Sequence, residues 1–169
     1  MLRSDLDRSS GRDEPGAPAI PVPRLGRRHV KTPPSGGAAI NTTTNAAVVR
    51  RLMEEVWGRG RWEVLSDLIA GTYIGHFTTG DHYGPEGARI DIHAYRRAFP
   101  DLTVTVDDLL ALDDQVVRRF TLRGTYSQPI FNIRASGQPV VLRAIAVDCL
   151  ARGKLVESWS QVDMLPLLR

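Results

Sequence analysis

The run Trp159-Ser160-Gln161-Val162-Asp163 sets an indole, a carboxamide and a carboxylate at alternate positions of a segment with strand-like composition. In an extended chain alternate residues share a face, so Leu155, Glu157, Trp159, Gln161 and Asp163 fall on one side, and Lys154, Val156, Ser158, Ser160 and Val162 on the other. A face that mixes Trp, Gln and Asp suits the wall of a cavity better than a dry core, because buried polar groups need partners. The plainer alternative puts Glu157 and Gln161 at wet ends and lets Asp163 cap the terminus. The preceding strand offers Val141, Arg143, Ile145, Val147 and Cys149 against Val140, Leu142, Ala144, Ala146 and Asp148. Its Ile145-Val147-Cys149 face is expected to point inward.

Five other residues could titrate or react. His76 follows a short extended segment and precedes a loop, where it could meet a pocket and exchange protons near neutral pH. His82 and Tyr83 lie in that loop, and His93 sits among apolar neighbours on a helix, where a structural role is expected. Cys149 reads as a small core residue, since no flanking cation or helix N-terminus would lower its pKa. No pair of histidines with a carboxylate has metal-ligand spacing, and neither a dinucleotide-binding glycine pattern, a phosphate-binding loop nor a nucleophile elbow is present. Proton-transfer chemistry without metal or cofactor, or simple binding, is what these residues leave.

Of the chain's 22 basic and 19 acidic residues, seven and four lie in residues 1–40. The remaining 129 residues therefore carry 15 of each sign, and this balance removes the main electrostatic argument for a nucleic-acid partner. Residues 1–40 hold six of the eleven prolines among Gly, Ser and Arg, with no helical or strand period. They read as a disordered arm, or as the product of a start assigned too early, since Arg far outnumbers Lys as in GC-rich coding sequence. No stretch approaches the roughly 20 apolar residues of a membrane span. A single cysteine and a start without a secretory apolar core favour a cytoplasmic protein.

The elements that must position these groups occupy residues 41–169, enough for one domain. Ala47, Val48, Leu52, Val56 and Trp57 recur at helical spacing behind Thr44 or Asn45 as N-cap, and Trp62, Leu65, Leu68 and Ile69 define a short second helix ending at Gly71. Residues 72–77 form a short strand, 78–84 a loop, and a third helix runs from Pro85 to Phe99-Pro100. The period then switches to strands over 102–112, 115–126, 140–151 and 154–163, separated by turns and one longer loop. Short turns force antiparallel pairing. Three helices on one concave face of long, twisted strands would give an α+β cone with an interior.

Residues 45–57 and 73–76, the run Ala94-Tyr95-Arg96-Arg97-Ala98-Phe99-Pro100-Asp101-Leu102, Asp114 to Arg118, Gly124-Thr125, and Gly153-Lys154-Leu155-Val156-Glu157-Ser158-Trp159 through Asp163 together resemble the SnoaL-like ester and polyketide cyclases of the NTF2-like superfamily. The resemblance implies a cone-shaped α+β barrel, commonly a homodimer, closing a polyketide methyl ester by an intramolecular aldol step without metal or cofactor. It maps the general acid/base onto Asp163 and a pocket histidine onto His76, with Trp159, Gln161, Tyr73, Tyr126, Val147, Cys149 and Phe99 about a hydrophobic carbonyl-containing ligand. A carboxylate in an apolar cavity has its pKa raised toward neutrality, which suits the role. The chain departs from the family where Tyr126 follows Gly124-Thr125 in place of a histidine, and where Val147 and Cys149 replace polar pocket residues. Gln161, Tyr73 or Tyr126 are then the donors left for an enolate oxygen. Isomerisation or epoxide hydration on the same scaffold, and a non-catalytic binding or dimerisation module, are the rival expectations.

Overall fold

The computed structural model describes residues 38–168, within the compact unit Pro33–Arg169. The expected arm falls almost wholly outside the described residues, except that the first helix, α1 (Ala38–Arg51), already begins inside it. Asn45 is therefore not an N-cap. Its buried side chain donates from Nδ2 to the Asp113 carbonyl at 3.0 Å and ties the helix to a β-turn. A π-helical stretch, Leu52–Gly58, carries α1 onward and buries Leu52, Met53, Val56 and Trp57.

A 3-10 turn (Trp62–Val64) leads into the four-residue α2 (Leu65–Leu68), shorter than its periodicity predicts. Ile69 and Gly71 belong instead to β1 (Ile69–Phe77), which turns into β2 (Gly80–Tyr83), a strand where a loop was expected. Helix α3 (Gly84–Ala98) has Pro85 in its first turn, where a missing N–H leaves nothing unbonded. The strands β3 (Thr103–Leu112), β4 (Gln115–Thr125), β5 (Pro139–Ala151) and β6 (Lys154–Val162) match the expected boundaries within a residue or so. At the β5–β6 turn Arg152 and Gly153 both have positive φ (54° and 75°), the geometry that fits the twist of a tight hairpin.

The six strands form one curved sheet in the order β2-β1-β6-β5-β4-β3, open at β2 and β3 rather than closed as a barrel. All neighbours pair antiparallel except β1 and β6, whose parallel pairing joins residues 80 or more positions apart. The helices cover the concave face. That face carries Val116, Phe120 and Leu122 from β4, Leu142, Ala144, Ala146 and Leu150 from β5, and Leu155, Ser158 and Ser160 from β6. Small residues cluster where β5 meets β6, with Ala146 opposite Ser160 and Ala144 opposite Val162. Space opens there.

Alternation on β6 is broken by a bulge. Leu150 pairs with Leu155 but Cys149 pairs with Glu157, so Val156 has no partner across the sheet and every later side chain changes face. Leu155 points inward together with Ser158 and Ser160, whereas Glu157, Trp159, Gln161 and Asp163 stand on the outer side. The expected inward face of β5 is likewise the outer one: Ile145 is 51% exposed, Val147 and Cys149 are half-exposed, and Asp148 opposite them is fully buried. Among the described residues no helix is long and apolar enough to cross a membrane.

Candidate active site

The interior cavity lies between α3, the π-helical stretch, β6 and the β1–β2 turn, and is lined by Trp57, Phe77, Thr78, Thr79, Asp91, Tyr95, Phe131, Ser160 and Val162. Its volume is about 10 Å³, room for roughly one water. The apolar pocket expected from the sequence is thus nearly filled. Trp57 and Tyr95 pack with ring centroids 5.5 Å apart, and Phe131 meets Tyr95 edge-on at 5.7 Å.

One carboxylate lines this cavity. Asp91 sits on the buried stripe of α3 with Gly87, Ala88, Ile92, Tyr95 and Ala98, and is only 3% exposed. Its Oδ2 lies 2.6 Å from His82 Nδ1, and Thr79 Oγ1 donates to its Oδ1 at 3.3 Å. The close approach of α3 to β2 depends on Gly87, since a Cβ there would stand 2.9 Å from the His82 carbonyl carbon. Burial pushes the Asp91 carboxyl up to about 6, against the opposing charge of His82 and the hydrogen bonds from Thr79 and His82. A carboxyl poised there takes and returns protons near neutral pH. Sequence reasoning missed it, although an aspartate on the apolar stripe of an amphipathic helix is a legible signal.

A second buried network lies deeper. Arg118 Nε is 3.0 Å from Asp148 Oδ2, Arg118 Nη2 donates to Asp148 Oδ1 at 3.3 Å, and Ser158 Oγ donates to the same oxygen at 2.6 Å. Burial raises the Asp148 carboxyl, while Arg118 and Ser158 oppose the shift. Tyr73, 3% exposed on β1, borders this network, and its phenol is raised chiefly by burial and then by the Asp148 charge.

The residues singled out from the sequence do not converge on this cavity; His76, Trp159 and Val147 come together on the outer face instead. His76 lies on the outer side, its Nδ1 2.8 Å from Asp81 Oδ1, its Nε2 3.1 Å from Glu157 Oε1, and its ring stacked on Trp159 at 5.1 Å. Trp159 is 44% exposed, Gln161 and Asp163 are exposed, and Asp163 Oδ1 accepts from the Leu165 N–H at 3.1 Å. Tyr126 and Phe99 are buried but stack on each other at 5.4 Å away from the cavity lining. The Tyr126 hydroxyl accepts from the Ile130 N–H at 3.2 Å and donates to the Ile133 carbonyl. Phe99-Pro100-Asp101 and Gly124-Thr125 form a structural clasp. Asp101 accepts from the Thr125 N–H and hydroxyl at 2.7 and 2.8 Å, and a Cβ on Gly124 would meet Phe99 Cβ at 3.1 Å. Cys149 is half-buried, and burial raises its thiol above the ordinary value.

Burial alone would lower the His76 pKa, but Asp81 and Glu157 together raise it above its ordinary 6.5. The clip they form ties β1 and β2 to β6. A raised folded-state pKa stabilises the fold fully below the unfolded value and loses that contribution as pH rises through the folded one. The gap in melting temperature between the native chain and His76→Gln is therefore expected to be largest below about pH 6.5 and to shrink in alkaline buffer. A gap independent of pH would contradict this role.

Fold and site together define a small α+β domain of NTF2-like architecture whose buried carboxylate lies between a curved sheet and its covering helices. The family model for SnoaL-like polyketide cyclases matches residues 47–169. The chain belongs to the SnoaL-like polyketide cyclase family. Among solved structures it is similar to one assigned as a SnoaL-like polyketide cyclase from Jannaschia sp. CCS1, at 27% identity over 75% of this chain and 90% of that one, with a TM-score of 0.69. IdmH from Streptomyces antibioticus, assigned as a polyketide cyclase, is similar at 27% identity, 73% and 95% coverage and TM-score 0.64. AclR from Streptomyces galilaeus, assigned as a hydroxylase, shares the fold at 22% identity, 75% and 94% coverage and TM-score 0.65. A search of curated proteins finds no match.

Proposed function

We propose that the chain is an ester cyclase-type enzyme that moves a proton within its interior cavity, without metal or cofactor, during aldol-type ring closure of a hydrophobic carbonyl-containing small molecule. The observation that carries this reading is Asp91, a carboxylate buried against His82 on the cavity wall with its pKa pushed up to about 6. In the ionised form it would abstract a proton from carbon next to a carbonyl. Among the polar neighbours in the cavity wall, Thr79 is already bonded to Asp91, and Thr78, Tyr95 and Ser160 are candidates for the developing oxygen charge. The acid/base role thus moves from Asp163, which lies exposed at the end of β6, to Asp91. Aromatic polyketide methyl esters and hydrophobic ketones, screened first by thermal shift and then by turnover, test the reading. Turnover that needs Asp163 and tolerates loss of Asp91 would overturn it.

A second reading, a non-catalytic dimerisation module, draws on the nearly filled interior. Under either reading the partner is a second copy of the chain, docked through the outer face of β5 and β6. There Ile145 and Trp159, 51% and 44% exposed, lie diagonal to each other across β5 and β6, with Val141, 39% exposed, beyond Arg143 on the same face. A two-fold axis near Ile145 and Trp159 would set apolar on apolar. Ile145→Asp is expected to convert a dimer to a monomer in light scattering. An unchanged mass for that variant, or a monomeric native chain, would remove this interface.

A further inference from the structure

The proposed chemistry leaves a physical difficulty: a cavity of about 10 Å³ admits no organic substrate. Some lining side chain must move. Trp57, Asp91 and Tyr95 stand on helical segments and Ser160 and Val162 on a strand bonded along β5, so regular structure fixes their backbones, while Thr78 and Thr79 are small and Thr79 is bonded to Asp91. Phe77 closes β1 in register with Gly80 and packs edge-on to His82 at 5.8 Å.

Phe131 differs from all of them. It lies between β4 and β5 in a turn closed by the isolated Ile130–Ile133 bridge, and both Phe131 and Asn132 hold positive φ, 50° and 65°. A bulky residue in the left-handed region is a strained state that its surroundings must hold in place. Those surroundings are the Tyr126 hydroxyl, which grips the turn at Ile130 and Ile133, and the edge of Tyr95. The base of the turn is anchored by the fully buried Tyr126, while its tip reaches the cavity with a half-buried ring.

We infer that Phe131 is the gate and size filter of the interior cavity: its ring swings off Tyr95, with release of the left-handed Phe131-Asn132 pair, to admit a flat apolar carbonyl compound toward Asp91. The inference rests on the cavity being the ligand site and not on the proton transfer. The strained backbone makes the closed state less stable than its contacts alone would, so a minor open population is available to ligand.

The full-length chain can be tested with 6-propionyl-2-(dimethylamino)naphthalene, a flat aromatic ketone whose emission shifts to the blue in apolar surroundings, in stopped-flow fluorescence. Phe131→Ala is expected to bind it with an association rate about ten-fold or more above that of the native chain, as the fraction of open molecules rises from a minor population toward one. Asn132→Gly relieves strain in the closed turn, keeps the Phe131 ring and should slow association instead. Adding Ser160→Leu, which fills the cavity from the opposite wall, should abolish the gain seen in Phe131→Ala. Equal association rates in the native chain and both single variants, or a gain that survives Ser160→Leu, would overturn the proposal. Asp91→Asn should leave these rates unchanged while removing turnover, so failure of the gate and failure of the catalytic reading are told apart.

Discussion

Replacing Asp91 by asparagine is expected to lower kcat/KM on a responsive ester or ketone by about 10²–10⁴-fold, the range that one positioned acid/base group contributes. The fold should survive, because asparagine keeps the shape and removes a charge that the interior disfavours. Below the unfolded value of 3.8 neither state of Asp91 is charged, and above about 6 both are. Between the two values the folded chain holds the proton more tightly, so stability falls as pH rises through that window and the variant loses this slope. Activity has the opposite sense. Proton abstraction needs the carboxylate, so kcat/KM should rise with pH through an acid limb near 6. His82 lowers the Asp91 pKa by charge and hydrogen bond, and His82→Leu should move that limb upward. Asp163→Asn is the matched control, since its carboxylate is solvent-facing. An acid limb that stays near 6 in His82→Leu, or a full rate in Asp91→Asn, would sink the assignment.

The largest effect on stability should come from the Arg118–Asp148 pair. Removing one partner of a buried pair strands the other charge and typically destabilises by about 3–5 kcal/mol, whereas replacing both by apolar residues of similar volume is often neutral or better. Arg118→Met and Asp148→Leu are each expected to lower Tm by roughly 10 °C or more. The double variant should recover most of that loss in urea or thermal melts. Ser158 donates to the same carboxylate oxygen, so Ser158→Ala should destabilise by less, on the order of 1 kcal/mol. Single variants within experimental error of the native chain would mean that the network is wet in solution.

Much of the frame was legible locally. Helix α3 could be placed from Pro85 and the stop at Phe99-Pro100, and the four long strands from their turn residues, because backbone preference acts within a few positions. The Phe99-Pro100-Asp101 and Gly124-Thr125 motifs, two of the segments behind the family resemblance, proved to be one clasp between a helix end and a strand end. They report fold more than chemistry. The β2 strand and the parallel β1–β6 pairing were not legible, since the first is four residues long and the second joins distant segments.

For the site, the sequence by itself determined alternation, helical stripes and family. It located helix α3 without singling out Asp91 on its buried stripe, and it set Glu157, Trp159, Gln161 and Asp163 on one common face. Only the tertiary structure decided which face that was. On β5 both faces are comparably apolar, so Ile145, Val147 and Cys149 had as good a claim to the interior as Ala144, Ala146 and Asp148. On β6 the unpaired Val156 reverses the alternation after Leu155, turning the Trp159-to-Asp163 face outward and leaving Ser158 and Ser160 to meet the cavity side. A period of two is a local property of an extended chain, whereas the choice of face depends on a one-residue offset between two strands and on the helices that cover one side.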